Sequence, residues 1–221
     1  SLGKLDLQGP GALDVMKRLV GPAIAGLGYY TFGHFDLLGE KCIISRTGYT
    51  GELGFELYIS ASKVTELWRR ILTDERVKPA GLGARDTLRL EMAYSLYGSE
   101  LSDEISVLEA NLGWALRFGP DFIGKDILLK QHKEGVKRII AGIIVEERAG
   151  APRHSAPVYT PSGEEIGYVT SGSFSPSLEK GIALVLIKPQ YSGIGETLQV
   201  EIRGRRVNST VVELPFYRPS K

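Results

Sequence analysis

The sequence predicts an α+β protein whose first part mixes helices with strands and whose last part is a small β-barrel. Apolar residues recur at helical spacing in several early segments, and glycine turns separate strand-like runs between them. Six short β-rich runs then follow one another along the chain. We therefore divide the chain into an α+β region, 1–133, and a C-terminal β-barrel region, 134–221.

The bulk composition supports this interpretation and limits the classes of binding partner that we expect. The chain has 221 residues, enough for two regions that each bury a core. Its hydrophobic content of 43% and charged content of 24% are typical of globular proteins. The net charge of +1 gives no general attraction to nucleic acid or anionic membranes, and no apolar run approaches the roughly 18 residues of a membrane helix. We expect neither nucleic acid nor membrane as a partner.

Helical spacing defines four segments. Residues 11–20 follow a glycine turn and predict a short helix. Residues 61–73 show apolar side chains at i, i+3, i+4, i+7 and i+8, which predicts a clear amphipathic helix. A third helix is predicted in "ARDTLRLEMAYSLYG", 84–98, and a short connector helix in 121–135.

Strand signals lie between these helices and after them. The chain opens on a strand-like "LDLQG", and two or three strands are predicted between the first two helices. In the last of these, Phe55, Leu57 and Ile59 share one face, and Glu56 and Tyr58 share the other. Turn residues separate the runs of the barrel region, which are RIIAGIIVEE, PVYT, EIGYVTSG, GIALVLI, TLQVEIRG and RVNSTVVELPFY.

Three glycines in "SRTGYTGELGFELYIS", 45–60, require an explanation, because glycine weakens a strand. Either the chain bends sharply there, or another group comes very close to its backbone.

Metal and thiol chemistry have little support. The three histidines stand far apart, so no protein metal site is expected. The single cysteine, Cys42, lies in an apolar run, which predicts a buried thiol in a reducing compartment and excludes a disulfide framework.

Glu56 and Arg85 allow two interpretations. Arg85 lies in the first turn of its predicted helix, where the macrodipole disfavours a cation, so some group should offset that cost. The pair could be a structural ion pair, or Arg85 could pair with Asp86. Alternatively, a ligand could offer N–H donors to the carboxylate and an oxygen to the guanidinium. Nearby aromatic residues suit either core packing or the wall of such a site.

Three long motifs then carry a resemblance that covers the whole chain. "SRTGYTGELGFEL", "AGLGARDTLRLEMAYSLYGSEL" and "VTSGSFSPSLEKGIALVLI" resemble the aminomethyltransferase, or T-protein, family of the glycine cleavage system. "LQGPGA", "LGWALRF", "DFIGKDIL" and "LPFYR" follow in the order of that family. The resemblance implies three domains around a central folate cavity, the last a Greek-key or jelly-roll barrel.

The resemblance also implies an activity and its partners. Such enzymes take the aminomethyl group from the lipoyl arm of H-protein, release ammonia and form 5,10-methylenetetrahydrofolate. Matched motif by motif, the residues implied at the tetrahydrofolate site are Glu56, Arg85, Tyr49, Tyr29, Trp114 and Tyr94. In an unbroken helix Tyr94 would lie opposite Arg85, so either the helix ends before Tyr94 or the two line different sides of the cavity. The glycines would let a tight turn run beside the pterin.

One departure from the family pattern affects the expected chemistry. The family has a substantial portion ahead of "LQGP" that this sequence lacks, and the aspartate usually assigned to the chemistry lies in that portion. We expect a fragment that needs the missing N-terminal part of the same chain as a partner, is inactive alone and exposes a large apolar face. The expected location is the cytoplasm, or the mitochondrial matrix in a eukaryote.

Three alternatives remain open. One is a folate-dependent relative, such as the C-terminal region of a sarcosine or dimethylglycine dehydrogenase, or a demethylase. Another is a non-catalytic folate-binding or assembly protein. The last is a structural α+β protein in which Glu56 and Arg85 form only a salt bridge.

Overall fold

The computed structural model describes residues 1–146 and 149–218. Its contacts divide this part of the chain into two compact units, Ser1–Leu88 and Arg89–Arg218. The first unit combines one sheet with helices, and the second contains the barrel. The predicted domain boundary near residue 134 is a different division of the chain and stays a prediction.

A four-stranded antiparallel sheet forms the centre of the first unit. Its strands are arranged in the order β1-β4-β3-β2, with the bounds β1 Leu2–Gln8, β2 Phe32–Leu37, β3 Glu40–Ser45 and β4 Gly54–Ser60. The two or three strands predicted between the first helices are thus three. Phe55, Leu57 and Ile59 are buried on one face of β4, as the alternation predicts.

The helices of this unit pack on one face of that sheet. On the opposite face, called the open face below, the exposed residues include Lys4, Asp6, Phe32 and Asp36. Helix α1 is Ala12–Val20 and helix α2 is Val64–Ile71, preceded by a 3₁₀ turn. Met16 and Leu67 are fully buried from these helices among the apolar residues of the covered face. Cys42 is also buried there, and burial raises the pKa of its thiol, so the predicted buried cysteine is confirmed.

Helix α3, Leu82–Glu91, is shorter than the sequence predicts. The amide of Tyr94 donates to the carbonyl of Arg89, and Ala93 adopts a φ of 55°, so the chain leaves the helix before Tyr94. The prediction of an uninterrupted helix to Gly98 is therefore wrong, because a left-handed residue ends it. Of the two alternatives for Tyr94, the structure supports the one in which the helix ends first.

The second unit contains helix α4, Lys125–Glu134, and a closed antiparallel barrel. Around the barrel the strands follow the order β10-β5-β8-β7-β6-β9. Their bounds are β5 Ile139–Val145, β6 Pro157–Tyr159, β7 Glu165–Ser175, β8 Lys180–Ile187, β9 Thr197–Ile202 and β10 Arg205–Val212. Since β5 pairs with β8 while β6, β7 and β8 are consecutive neighbours, the connection is a Greek key. The six predicted runs are confirmed, except that Glu147 lies outside the described residues.

Strand β8 is buried on both of its faces. Ala183, Val185 and Ile187 point into the barrel core. Ile182, Leu184 and Leu186 point outward and pack in a second core with residues such as Leu90 and Ile105. This double burial explains why "GIALVLI" is a continuous apolar run without polar alternation.

The described residues offer neither a membrane-spanning helix nor a metal site made of protein side chains. None of the described helices has both the length and the apolar character that a membrane span requires. Within 1–146 and 149–218, no three histidine, cysteine, aspartate or glutamate side chains form a group that could hold a metal ion.

Candidate functional site

The open face of the first unit's sheet carries the candidate carboxylate. Cross-strand pairing places Asp6 of β1 and Ser45 of β3 on either side of Glu56 of β4. Phe32 of β2 lies next to Ser45 and extends the row to the far edge. Side chains that pair directly in an antiparallel sheet lie on the same face. The open face therefore presents a row of polar side chains ending in one aromatic ring.

Glu56 is held at both carboxylate oxygens. The ammonium of Lys4 donates to Oε1 at 2.6 Å. The hydroxyls of Thr47 and Tyr58 donate to Oε2 at 2.6 and 3.1 Å. A carboxylate offers about four lone-pair sites, so three donors occupy most of them. The side chain of Glu56 keeps 17% of its surface exposed, and it is both oriented and within reach of solvent.

These contacts set the charge of the cluster. Partial burial raises the pKa of Glu56, but the hydrogen bond and charge of Lys4, together with the hydroxyls of Thr47 and Tyr58, outweigh burial and hold the pKa below its usual value. Burial lowers the pKa of Lys4, but Glu56 and Asp6 outweigh it and raise the pKa above its usual value. Glu56 is thus an ionised acceptor at neutral pH.

The cation at Glu56 is Lys4, which sequence reasoning missed. Lys4 also lies 3.2 Å from Asp6. Among the described residues, the ion pair of Glu56 is with Lys4 and none is found with Arg85, so the structural salt bridge considered between Glu56 and Arg85 is wrong. Strand alternation on β1 could have placed Lys4 and Asp6 on one face, but the pairing of β1 with β4 was not visible in the sequence.

Arg85 packs instead on Tyr49. Its guanidinium carbon lies 4.6 Å from the centre of the Tyr49 ring, which is a cation–π contact. Such contacts contribute about 0.5–1 kcal/mol at exposed sites, comparable with the roughly 0.3–1 kcal/mol that the helix dipole costs a cation in the first turn. The face of the Tyr49 ring therefore supplies the compensation that Arg85 needs in the first turn of α3.

Tyr49 and Arg85 line a cavity of about 700 Å³ within the first unit. Its wall includes the edge of β1 from Leu5 to Gln8 and apolar side chains at the end of α2, with the segment 76–82 alongside. The volume lies within the usual range of small-molecule sites. Glu56 is not among the lining residues, although Asp6, its cross-strand neighbour, is.

The glycines of "TGYTGELG" surround the side chain of Gln8. Its Nε2 donates to the carbonyl of Thr47 at 3.1 Å, and Thr50 Oγ1 donates to its Oε1 at 3.3 Å. A methyl group at Gly48 or Gly54 would overlap the Gln8 amide. Both explanations considered for the glycines thus apply: two allow a close approach, by Gln8, and Gly51 bends the chain with a φ of 77°. No local pattern in the sequence identifies Gln8.

The other predicted aromatic residues lie in different surroundings. Tyr29, in the first unit, is 62% exposed, and its ring meets the Tyr30 ring edge-on at 4.5 Å. Trp114 and Tyr94 belong to the second unit. Trp114 is 75% exposed in a 3₁₀ turn, and Tyr94 is half-buried just after α3. Their roles at a ligand stay predictions.

A buried polar network in the second unit was also missed. Arg89 donates to Glu100 at 3.0 Å and to Ser171 Oγ at 2.8 Å, and Arg89 and Glu100 are almost completely buried. The carboxylate of Glu91 accepts from the Ser175 hydroxyl at 2.5 Å and the Ser177 hydroxyl at 2.8 Å. The "RLE" and "SGSFSPS" motifs are therefore joined by hydrogen bonds, which gives these polar residues a structural role.

Two protein-family models match successive parts of the chain. A family model described as the GCVT N-terminal domain matches residues 1–119. A second model, the glycine cleavage T-protein C-terminal barrel domain, matches residues 138–218.

Curated relatives named aminomethyltransferase match nearly the whole chain. The protein of Desulfitobacterium hafniense (strain DSM 10664 / DCB-2) is 47% identical over 219 residues, which cover 97% of this chain and 60% of that protein. The protein of Moorella thermoacetica is 48% identical over 222 residues, covering 99% and 60%. This chain thus spans about 60% of the length of these relatives.

A solved structure shows the same fold. The crystal structure of glycine cleavage system aminomethyltransferase T from Bartonella henselae superposes with a TM-score of 0.85 at 31% sequence identity. The match covers 98% of this chain and 60% of that chain. The matched names favour the aminomethyltransferase alternative over the dehydrogenases and the demethylase considered above.

Proposed function

The chain belongs to the glycine cleavage T-protein family, and on that premise we propose that it is the tetrahydrofolate-binding part of an aminomethyltransferase. The reaction would move the methylene of a lipoyl-bound aminomethyl group to tetrahydrofolate and release ammonia. The lipoyl-bearing H-protein would be the partner that delivers this group. Because the relatives are bacterial, we also propose the cytoplasm as the location.

The proposal depends on the carboxylate of Glu56, which three hydrogen-bond donors fix in direction. A pterin offers adjacent N–H donors, and a carboxylate that is ionised and fixed in direction can accept them in charge-assisted hydrogen bonds. Three donors already bond to Glu56, so one of them must be displaced before a pterin can donate two hydrogen bonds to the carboxylate. Lys4 is suited to this, because its side chain is 40% exposed and keeps Asp6 as a second partner.

Arg85 and Tyr49 would serve a different part of the ligand. The guanidinium can read a carbonyl or carboxylate oxygen, and the Tyr49 ring offers an aromatic surface. Tyr29, Trp114 and Tyr94 are proposed as further aromatic walls. Tetrahydrofolate supplies the nitrogen atoms that accept the one-carbon unit, and the residues named here would bind it and orient it.

The test is titration of the whole chain with tetrahydrofolate, followed by calorimetry or intrinsic fluorescence. Glu56→Gln removes the charge but keeps the shape, and we expect it to weaken binding tenfold or more. Asp36→Asn is the matched control, since Asp36 is an exposed carboxylate of β2 on the same open face. Absence of binding by the unaltered chain would overturn the proposal, and so would equal effects of the two substitutions.

A further inference from the structure

Gln8 occupies the end of β1 where the open sheet face meets the cavity. It follows Asp6 by two residues, so its side chain lies on the same face as Asp6 and Lys4. It is half-buried and lines the cavity beside Tyr49 and Thr50. One side chain therefore borders both surfaces to which the proposed site residues belong.

Gln8 is bonded to the loop 46–53 from both ends of its amide. Its Nε2 donates to the carbonyl of Thr47, and its Oε1 accepts from the hydroxyl of Thr50. The backbone reinforces this contact, because the amide of Gly9 donates to the carbonyl of Leu53 at 2.8 Å. The loop is thus fastened to the end of β1 along its length.

Gly48 and Gly54 leave the space that Gln8 fills. The atoms nearest to a methyl group at either position are the three terminal atoms of the Gln8 side chain. Gly48 does not lie in the left-handed region, so alanine there would be opposed by the Gln8 amide and not by backbone strain. Side chain and glycines are complementary in shape.

The loop 46–53 contacts both groups of proposed site residues, Glu56 on the open face and Arg85 at the cavity. Thr47 precedes Gly48 and donates to Glu56 at 2.6 Å. Tyr49 follows Gly48 and stacks on Arg85 at 4.6 Å. A shift of the loop by an ångström would break the first contact and misalign the second, since hydrogen bonds weaken steeply with distance and angle.

We infer that Gln8 is the positioning residue of the ligand site, setting Thr47 against Glu56 and Tyr49 against Arg85 through one loop. The inference rests on the proposed function, because it assigns Gln8 to the binding of tetrahydrofolate. Gln8 acts through these neighbours and needs no contact with the ligand itself.

A double-substitution cycle on the whole chain tests this. Gln8→Ala removes the amide, and Gly48→Ala expels it, so both remove the same interaction. We expect each to weaken tetrahydrofolate binding five- to tenfold and to speed hydrogen exchange of the amides in 46–53. The double variant should be within about twofold of either single variant, because there is nothing further to lose.

Matched controls separate this from general damage. Gln190→Ala removes an exposed glutamine, and Gly26→Ala adds a methyl group that meets no atom within 4 Å. Both should leave binding and exchange unchanged. Should Gln8→Ala fail to fold by circular dichroism, Gln8→Thr also removes the amide and leaves room for the methyl group of Gly48→Ala, so it takes the place of Gln8→Ala in the cycle.

The outcomes distinguish the two proposals. An unaltered chain that does not bind tetrahydrofolate overturns the proposed function. Binding by the unaltered chain together with unchanged affinity in Gln8→Ala overturns the positioning role alone. If the losses of affinity in the two single variants multiply in the double variant, the positioning role is also overturned, since Gln8 and Gly48 would then act independently.

Discussion

Lys4 and Glu56 form an ion pair across two adjacent strands, with Nζ 2.6 Å from Oε1. The contact is diagonal, because the direct partner of Glu56 on β1 is Asp6. Lys4 therefore bridges two carboxylates that would otherwise repel each other on the open face.

Lys4→Met should raise the pKa of Glu56, because the ammonium is a main cause of its depression. A carboxyl whose pKa is lower in the folded than in the unfolded chain stabilises the fold at pH values above the usual glutamate pKa. This contribution is lost as the pH falls through the folded-state pKa. The variant should lose at most about 1 kcal/mol near neutral pH, since Lys4 is partly exposed, and almost nothing in acid. Urea unfolding at neutral and at acidic pH measures these losses in the free energy of unfolding. A loss that is the same in acid would contradict the argument, and Lys41→Met is the control.

Tyr49→Leu should release Arg85 from the ring it stacks on. We expect a loss of about 0.5–1 kcal/mol in the free energy of unfolding and weaker tetrahydrofolate binding. Tyr49→Phe keeps an aromatic face and should retain most of both. Denaturation and ligand titration of the two variants provide the comparison, and equal losses would show that the hydroxyl, and not the ring face, carries the effect.

Arg89→Met should destabilise the second unit strongly. It leaves the carboxylate of Glu100 buried without its cation, and breaking such a pair costs about 3–5 kcal/mol. Adding Glu100→Leu removes the stranded charge and should recover a large part of the loss. Arg138→Met breaks the more exposed pair with Glu109 and should cost less. Chemical denaturation gives the ranking, and an Arg89→Met variant no less stable than Arg138→Met would refute it.

Cys42 should report on unfolding of the first unit. Its thiol is buried, burial raises its pKa, and its Sγ lies 3.3 Å from the carbonyl of Phe35. Reaction with a thiol reagent should be slow in the native chain and fast in urea, because the thiolate is the reactive form. Since Cys42 is the single cysteine, the labelled fraction counts opened molecules. Rapid labelling without denaturant would show that the covered face of the sheet opens readily.

Local periodicity was sufficient for the elements and for the face that Glu56 occupies. The alternation around Glu56 and the apolar runs of the barrel are properties of neighbouring residues, which a pattern can show. The end of α3 was missed because it depends on a positive φ at Ala93, a residue type that usually favours helix.

Contacts between distant segments could not be predicted in the same way. Lys4 reaches Glu56 from a strand 52 residues away, and Gln8 reaches Thr47 across 39 residues. Nothing local marks either residue as a partner. The glycine at position 48 was a signal of close approach, but the approaching group belonged to the chain itself, a possibility the sequence did not distinguish from a ligand.

Strand β8 has a consequence for how the second unit melts. The barrel interior lies against one side of this strand, and the outer cluster around Leu90 lies against the other. Each of these two hydrophobic clusters includes side chains of β8, so displacing the strand disrupts the packing of both clusters at once. Heating should therefore take the barrel and its outer layer apart in a single cooperative transition, with no intermediate that keeps one compartment and loses the other.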